Sequence, residues 1–358
     1  MRVCVAGGGI SGTLLTWRLA QRPEVERVDL LIGDDGQRDA TELSGGVVRA
    51  YERHPEGRRL ALQSLAELQS SSVLRAWSQY RETGALYLRA GEDALTGELD
   101  ALEAQLPGSA RIATGPELAR LGWAGLPAGA VGVLERRAGY ISPSRLRRAL
   151  VADLTTRANV RVLRAAAGAV VCVDGGVRVT MPGPPRGYDV AVLAAGAWTP
   201  RVLDASGLPS IGLRTKAIQS TTYAVSGRRP MPFADETTGL YGKPGADGTL
   251  LLGIATAQWD VVPGERPPVR ALQASAARIA RERMPWLKLG RALATASASD
   301  CYCEPPVLAL HRVAGDEGPI WTFTGGSGGS VKTALAASRE AADRLLGSRR
   351  LQPSTHGE

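Results

Sequence analysis

Residues that build metal centres and disulfide frameworks are scarce in this chain. It has four cysteines and three histidines among 358 residues, and Cys301 and Cys303 form only a C-x-C pair. So few thiols and imidazoles predict neither a disulfide framework nor a structural zinc site. No run approaches the ~18 apolar residues of a membrane helix, and the apolar start breaks at residues 7–9, unlike a signal peptide. We expect a cytoplasmic protein without a metal site or a membrane segment.

Lysine and aromatic residues are also few, although the chain is basic. Only four of its 43 basic residues are lysine, which leaves 39 arginines; the net charge is +8, and 5% of the residues are aromatic. The arginines are scattered in pairs such as Arg136 and Arg137, whereas a nucleic-acid surface concentrates cations in a stripe with stacking aromatics. We expect no nucleic-acid partner, and a few positive side chains remain to serve an anionic cofactor or substrate.

A glycine motif stands near the N-terminus. The apolar run 2–6 predicts a strand, and the stretch from about residue 11 to residue 21 predicts a helix. Between them lies Gly-Gly-Gly-Ile-Ser-Gly at 7–12, a G-x-G-x-x-G sequence in the strand-to-helix context that dinucleotide binding requires.

Each glycine of this motif has a mechanical role. Gly7 permits the tight turn, Gly9 the close approach of a pyrophosphate, and Gly12 the packing of helix against strand. Backbone N–H groups at the helix start, including those of Ile10 and Ser11, are expected to face the phosphates.

An acid that binds the adenosine ribose is expected at the end of the second strand, predicted at 27–32. Gly33 stands at that position, and Asp34 and Asp35 follow it. We predict Asp34 as the ribose ligand displaced by one residue. A solvated Asp-Asp-Gly turn, or altered ribose recognition, is the alternative.

Four further segments extend this pattern over nearly the whole chain. They are 41–51 (Thr-Glu-Leu-Ser-Gly-Gly-Val-Val-Arg-Ala-Tyr), 139–143 (Gly-Tyr-Ile-Ser-Pro), 170–171 with 189–198 (Asp-Val-Ala-Val-Leu-Ala-Ala-Gly-Ala-Trp), and 325–332 (Gly-Gly-Ser-Gly-Gly-Ser-Val-Lys). With the first motif they resemble the D-amino-acid oxidase superfamily, most closely its sarcosine oxidase and glycine oxidase branch. The resemblance implies FAD as the cofactor.

The same resemblance implies an α/β (α+β) fold of two interleaved domains. A Rossmann-like FAD-binding domain would comprise 1–84, 139–214 and 300–350, and an inserted, mostly antiparallel β substrate domain would comprise 85–138 and 215–299. Within the latter, strands are expected at 217–225, 239–243 and 249–254 and a helix at 268–284. Residues 351–358 are expected to form a flexible tail.

Further contacts with FAD follow from the resemblance. They come from a loop under the flavin, a backbone contact with the adenine, the turn after a buried strand, and the glycine turn near the C-terminus: Thr41, Ser44, Gly45 and Gly46; Val170; Ala195, Gly196 and Trp198; and Gly325, Gly326, Ser327, Gly328 and Gly329.

Two cations match family positions that meet the substrate carboxylate. Arg49 matches an arginine that pairs with it, for which a guanidinium fork is well suited. Lys332 matches a lysine near both the flavin carbonyl and the substrate carboxylate. A salt bridge for Arg49 and a solvated helix position for Lys332 are the alternatives. Sarcosine oxidases have a second arginine where this chain has Gly46, so substrate recognition is expected to differ.

Two aromatic residues of the substrate domain are also candidates. Tyr241, with Ile254, is expected in the pocket wall by position. Trp259 stands near the place where sarcosine oxidase-like members have a lysine that assists reaction with oxygen; it would stack on the substrate or belong to the core. Without that lysine, oxygen is in doubt as the electron acceptor.

A covalent flavin is a further possibility that the resemblance raises. Sarcosine oxidase-like enzymes bond the flavin to a cysteine shortly before the C-terminal glycine segment. Cys301 and Cys303 stand 24 and 22 residues before Gly325. The alternative is that both thiols are buried and unreactive.

The leading hypothesis is an FAD-dependent oxidoreductase that converts a C–N bond of an amino acid, or of a secondary or cyclic amine, to an imine by hydride transfer to flavin N5. The alternatives are an FAD-dependent dehydrogenase or biosynthetic tailoring enzyme with an acceptor other than oxygen, and a non-catalytic flavin-binding accessory protein. The expected partner is a small-molecule amine, and no oligomeric state is predicted.

Overall fold

The computed structural model describes residues 1–33, 39–93, 95–246, 248–264, 266–313 and 318–350. The predicted ribose ligand Asp34 and the predicted tail 351–358 lie outside the described residues. The helices are α1 Ile10–Leu19, α2 Ala40–Leu43, α3 Pro55–Ser70, α4 Ser72–Ser78, α5 Leu95–Glu103, α6 Gly115–Arg120, α7 Pro143–Thr155, α8 Thr199–Ala205, α9 Arg270–Arg283 and α10 Ser330–Arg350, with a 3₁₀ turn at Gly196–Trp198.

Twenty strands lie between and beside these helices in the described part of the chain. They are β1 Arg2–Ala6, β2 Arg27–Leu31, β3 Val47–Val48, β4 Arg81–Glu82, β5 Ala85–Arg89, β6 Ala110–Ala113, β7 Val131–Glu135, β8 Gly139–Tyr140, β9 Val160–Leu163, β10 Val170–Val173, β11 Gly176–Val179, β12 Arg186–Tyr188, β13 Val190–Leu193, β14 Arg214–Ser226, β15 Phe233–Asp235, β16 Leu240–Pro244, β17 Thr249–Ile254, β18 Lys288–Tyr302, β19 Ala309–Arg312 and β20 Ile320–Thr324.

The chain divides into two discontinuous units. The first contains 1–37, 144–214 and 301–358, and the second contains 38–143 and 215–300. Residues 38–84 and 139–143, which the sequence placed in the FAD-binding domain, therefore fall in the second unit. The assignment of cofactor to one unit and substrate to the other stays a prediction.

The first unit is built on a six-stranded sheet in the order β19-β20-β13-β1-β2-β9. All neighbours are parallel except β19, which runs antiparallel to β20. Every residue of β13 and β20 is buried, as expected for parallel strands covered on both faces. Helix α1 contacts α10, where the Arg18 guanidinium donates to the Leu335 carbonyl at 3.2 Å. A small antiparallel sheet, β10-β11-β12, completes the unit.

The second unit is built on an eight-stranded sheet in the order β18-β14-β17-β16-β15-β5-β7-β6. From β14 to β6 the neighbouring strands are antiparallel, apart from β15 with β5. One face is the apolar core, where Phe233, Leu240 and Leu252 pack with alanines of α9. Because side chains alternate along a strand, the residues between these point to the opposite face.

The observed architecture confirms the predicted fold class, and most predicted elements are present. The strand predicted at 249–254 is β17 with the same bounds, and the helix predicted at 268–284 is α9 with slightly shorter ones. The strands β5, β6 and β7, which complete one end of the second sheet, were not predicted. Among the described helices, none is long and apolar enough to cross a membrane.

Candidate active site

In the first unit, four neighbouring parallel strands all end near glycine turns. Gly7 follows β1, Gly33 comes two residues after β2, Gly196 comes three after β13, and Gly325 follows β20. Because these strands are adjacent and parallel, in the order β20-β13-β1-β2, the turns meet at one edge of the sheet. Open α/β sheets bind ligands outside the carboxyl ends of their strands. We call residues 7–12, 32–33, 194–198 and 325–332 the glycine cradle.

Two glycines of the N-terminal motif are required by the geometry. Gly7 has a φ of +133°, and a Cβ there would overlap the carbonyl of Ala194. A Cβ at Gly12 would overlap the carbonyl of Gly7. The tight turn and the close helix packing that the motif predicts are therefore present.

The cradle suits a large anionic ligand such as a dinucleotide. Helix α1 begins after Gly9 without a side-chain cap, and neither α1 nor α10 has an acid in its first turn. Gly33 and Gly196 have open space where a Cβ would project. The Ile10 side chain is buried, so Ile10 can serve a ligand only through its backbone.

The C-terminal glycine turn folds back on itself and brings a lysine over it. Gly325, Ser327 and Gly328 have positive φ, and the Gly329 N–H donates to the Gly326 carbonyl at 2.7 Å. Lys332, in the first turn of α10, places Nζ only 3.4 Å from where a Cβ of Gly329 would stand. Its positive charge therefore lies over the turn.

The surroundings of the two candidate thiols, Cys301 and Cys303, do not favour the reactive thiolate form. Cys301 is 1% exposed and packs in the apolar core of the first unit with Leu193 and Leu213. The Cys303 Sγ donates to the Gly325 carbonyl at 2.9 Å. Burial raises the pKa of Cys303, whereas the reactive form of cysteine is the thiolate. The surroundings of Cys301 favour the predicted alternative of a buried, unreactive thiol, whereas Cys303 is only partly buried.

The remaining predicted cofactor residues of the first unit are Val170, Ala195 and Trp198. The Val170 N–H donates to the Ser206 hydroxyl at 2.9 Å, and the backbone contact of Val170 with adenine stays a prediction. The Trp198 N–H donates to the Ala195 carbonyl at 3.0 Å and closes the turn that leads into α8.

The predicted flavin loop lies in the second unit. Thr41 is buried in α2, and the Gly46 N–H donates to the Ser44 hydroxyl at 3.1 Å. Gly45 has open space on its Cβ side except for Val47 and Leu251 at van der Waals distance. Gly46 has a φ of +63°, and a Cβ there would overlap the Ile141 carbonyl. The position where sarcosine oxidases have a second arginine therefore has no room for a side chain.

In the second unit, six strands each place one residue in a row across the sheet face opposite α9. The row contains Val133, Tyr87, Ala234, Tyr241, Gly253 and Ser220, from β7, β5, β15, β16, β17 and β14. The neighbouring row on the same face contains Glu135, Ala85, Lys243, Leu251 and Thr222. We call this surface the polar face.

Arg49 lies on the polar face. Its guanidinium stacks over the Tyr87 ring with 4.4 Å to the centroid, donates to the Tyr51 carbonyl and pairs with the Glu52 carboxylate at 2.8 Å. Arg49 is only 7% exposed. The salt bridge that was the alternative for Arg49 is thus present, but it is buried and not on the surface.

Glu135 fixes the segment that contains Arg49. Its two carboxylate oxygens accept the N–H groups of Ala50 at 2.7 Å and Tyr51 at 3.0 Å. Burial raises the pKa of Glu135, while the nearby Arg49 charge acts in the opposite direction. Sequence reasoning missed Glu135 and Tyr87; the available signal was a single acid at the end of the otherwise apolar run 131–135.

The Tyr241 ring occupies space that is open because residue 253 is glycine. Its ring lies over Gly253, where a Cβ would overlap the Tyr241 hydroxyl, and that hydroxyl donates to the Gln219 carbonyl at 3.3 Å. Burial raises the pKa of Tyr241 to about 12. Ile254, predicted as a pocket wall, instead packs against the apolar core on the other face of the sheet.

Trp259 belongs neither to the core nor to the row on the polar face. It is 39% exposed, and the Lys216 ammonium lies 4.5 Å from the centre of its ring. The two residues are bridged across antiparallel backbone segments. A lysine from β14 therefore stands beside the place where the sequence showed a lysine to be missing. Burial lowers the pKa of Lys216.

No metal centre accompanies these groups. Among the residues that the structure describes, no three histidine, cysteine or acidic side chains are grouped so that they could hold a metal ion.

Comparison with known proteins identifies the family of this fold. The family model of FAD-dependent oxidoreductases, DAO, matches residues 2–344. No curated protein sequence gives a significant match.

Solved structures give full-length matches at low identity. Glycine oxidase from Geobacillus kaustophilus has a TM-score of 0.77 at 18% identity, covering 99% of this chain and 96% of that one. L-proline dehydrogenase from P. horikoshii has 0.81 at 15%, covering 97% and 93%. Iminodiacetate oxidase from Chelativorans sp. BNC1 has 0.73 at 16%, covering 100% and 97%. These values show a shared fold.

Proposed function

The chain belongs to the DAO family of FAD-dependent oxidoreductases, and from that premise we propose that it oxidises the C–N bond of an amino acid, or of a secondary or cyclic amine, to an imine. Bound FAD supplies the redox chemistry by accepting the hydride equivalent at N5. Glycine, L-proline and iminodiacetate, named for the three structural neighbours, are all amines with a carboxylate on the adjacent carbon. That shared chemistry supports an α-amino carboxylate as the substrate class.

The observation that carries this proposal is the buried guanidinium on the polar face. The Tyr87 ring and the Tyr51 carbonyl hold Arg49 in one orientation. Its carboxylate partner Glu52 is 23% exposed at the side chain, so it is the partner that can move. We propose that the substrate carboxylate replaces Glu52 and forms the bidentate contact that arginine favours.

The glycine cradle provides the cofactor site in this proposal. Gly7 and Gly12 permit the tight turn and the close packing of α1, and the uncapped start of α1 after Gly9 provides N–H groups for the pyrophosphate. Lys332 and the start of α10 supply positive charge at the C-terminal turn. Such charge stabilises the negative charge that a flavin gains on reduction.

Tyr241 is proposed as a pocket wall and not as a base. With its pKa raised to about 12, its hydroxyl remains protonated at neutral pH, and its proton is donated to the Gln219 carbonyl. Tyr241 is therefore not the base that deprotonates the amine, and we propose that the amine binds in its neutral form.

An acceptor other than oxygen is the second candidate. The structural likeness to L-proline dehydrogenase favours it, while Lys216 beside Trp259 supplies a cation of the kind that helps oxygen to react. Mixing the reduced enzyme with oxygen in a stopped-flow instrument separates the two: fast return of the flavin absorbance indicates an oxidase. Slow return, with fast reoxidation by a quinone or dye, indicates a dehydrogenase or tailoring enzyme.

The proposed function is tested by anaerobic titration of the purified holoenzyme with amino acids and cyclic amines. We expect at least one α-amino carboxylate to bleach the visible flavin bands, and the corresponding amine without its carboxylate to fail. Bound FAD that no amine reduces would indicate a flavin-binding accessory protein. Protein that neither contains flavin nor takes up added FAD would contradict the cofactor assignment.

A further inference from the structure

Lys243 is a partly buried cation on the polar face that the proposed function leaves without a role. It lies in the row next to that of Tyr241, and its cross-strand partner is the apolar Leu251. Its ammonium donates to the Ile141 carbonyl at 3.1 Å and stands 5.0 Å from the centre of the Tyr140 ring. Among the described residues, no carboxylate forms an ion pair with it.

The Lys243 ammonium lies beside the loop that presents Arg49. The Ile141 carbonyl to which it donates is also the atom that a Cβ at Gly46 would overlap. The Ile141 N–H donates in turn to the Gly46 carbonyl at 2.8 Å. Gly46 precedes Arg49 by three residues, and the two positions are joined by the extended strand β3. The Lys243 ammonium is therefore linked, through Ile141, to the segment that leads from Gly46 to Arg49.

The spacing of these cations follows from the sheet. Arg49 stacks on Tyr87 of β5, and Lys243 belongs to β16, two strands away and one row along. Two interstrand steps span roughly 10 Å, and one row adds roughly 7 Å along the strand. Flexible arginine and lysine side chains on this framework fit a ligand with two separated acidic groups.

An unpaired ammonium in such a place is costly to the fold. Burial lowers the pKa of Lys243 to about 8, and no neighbouring acid opposes that shift. A buried charge is normally matched by an opposite charge. Arg49 already has Glu52, whereas no acid among the described residues pairs with Lys243, so a bound ligand would supply the opposite charge.

We propose that Lys243 binds a second acidic group of the substrate, so that the substrate class is an amino acid with two carboxylates, one on Arg49 and the other on Lys243. This inference rests on the proposed function, because it assigns the first carboxylate to Arg49. It makes Lys243 a residue that determines specificity among amino acids.

Binding of non-oxidisable ligands provides the test. The oxidised holoenzyme is titrated with acetate and with the dicarboxylates malonate, succinate, glutarate and adipate, and Kd is measured from the flavin absorbance change and by calorimetry. We expect one dicarboxylate to bind at least about 10-fold more tightly than acetate, as one additional charge-assisted contact provides.

Three variants assign that preference to Lys243. K243M is expected to bind the dicarboxylate no more tightly than acetate, and K243R to recover part of the difference. K288M, which removes an exposed lysine of the same unit, is the matched control and is expected to behave as wild type. Circular dichroism and bound FAD check that each variant is folded.

Three outcomes would overturn the inference. The first is equal binding of acetate and every dicarboxylate by the wild type. The second is a dicarboxylate preference that survives in K243M. The third is a K243M variant with unchanged ligand affinities but a lowered flavin reduction potential, which would make the flavin the anion that Lys243 meets.

Failure of the proposed function gives a different result. In that case no amino acid, whether glycine, proline, aspartate, glutamate or iminodiacetate, reduces the flavin under anaerobic conditions, whatever the dicarboxylate titrations show. If the flavin is reduced equally well by amino acids with one and with two carboxylates, and K243M does not change their KM ratio, the proposed function stands and the role of Lys243 falls.

Discussion

The glycine cradle is formed by backbone atoms, whereas the polar face is formed mainly by side chains. The cradle consists of backbone: turns at the carboxyl ends of four parallel strands, where a Cβ at Gly7 or Gly12 would overlap a carbonyl. The polar face consists mainly of side chains, in two rows across neighbouring strands, that meet only because those strands are in register. A site made of backbone depends little on the side chains around it, whereas a site made of side chains depends on each of them.

The comparison also separates two kinds of glycine. Gly7 of the cradle gives space and conformation to the backbone itself. Gly253 of the polar face gives space to another residue, the ring of Tyr241. The same substitution, glycine to alanine, should therefore abolish cofactor binding in one unit and disturb only the substrate site in the other.

Gly7→Ala has the largest expected effect. Its φ of +133° and the overlap with the Ala194 carbonyl force the turn open, and backbone strain of this kind costs about 1–3 kcal/mol before the overlap is counted. We expect FAD affinity to fall at least about 100-fold, measured by quenching of flavin fluorescence. Gly187→Ala, at an exposed position of the same unit with open space, is the control. Undiminished FAD binding by the Gly7 variant would contradict the backbone role of the cradle.

Arg49→Met is expected to affect the substrate and not the cofactor. Loss of a charge-assisted contact should weaken carboxylate binding about 100-fold, seen as a raised KM for flavin reduction with FAD content unchanged. Arg75→Met removes an exposed arginine of the same unit and should leave KM as it was. If the Arg49 variant lost FAD instead, the separation between the two sites would be wrong.

Gly253→Ala should have an intermediate effect. The new methyl group would displace the Tyr241 ring, and misplacement of a pocket wall by about 1 Å commonly costs about 10- to 100-fold in rate. We expect a lower rate of flavin reduction, with FAD bound as in the wild type. Gly97→Ala, in α5 with no atom near its Cβ position, is the control. A second variant, Y241F combined with G253A, should add little if the ring is the element disturbed.

Lys243→Met should give the smallest change, and in the direction of greater stability. Because the pKa of Lys243 is lowered from 10.5 to about 8, the unfolded chain binds more protons between these values, and stability rises with pH across that window. Below it the charged lysine costs about 1–3 kcal/mol. K243M should therefore melt a few degrees higher at neutral pH and lose the rise above pH 8, measured by calorimetry against K288M. A lower melting temperature would show that the ammonium is paired in the folded protein.

Sequence reasoning could reach the cradle because its determinants are local. A turn with positive φ after a buried strand favours glycine, so the glycines at 7–12 and 325–329 are visible in the sequence. The polar face could be reached only in part. Arg49 and Tyr241 were found by resemblance to a family, whereas Glu135 and Lys243 acquire their meaning from partners about 85 and 102 residues away in sequence.

The same distinction explains where the structure departs from the predictions. Ile254 was placed in the pocket because it follows Gly253, but a one-residue step along a strand moves a side chain to the other face. Residues 38–84 were grouped with the N-terminal motif because they are close to it in sequence; they fall in the second unit, and their assignment to the FAD-binding domain stays a prediction. The side to which Ile254 points could not be known without the strand register.

The bond between Arg49 and Glu52 has a consequence for how ligands compete. The Glu52 carboxylate is only three residues from Arg49 in sequence and contacts its guanidinium at 2.8 Å. It therefore competes with any other carboxylate at an effective concentration in the millimolar range. A free carboxylate in solution must exceed that concentration or bring additional contacts. If Arg49 binds the substrate carboxylate as proposed, we expect simple carboxylates such as acetate to bind weakly, and a product that has lost its other contacts to be displaced by Glu52.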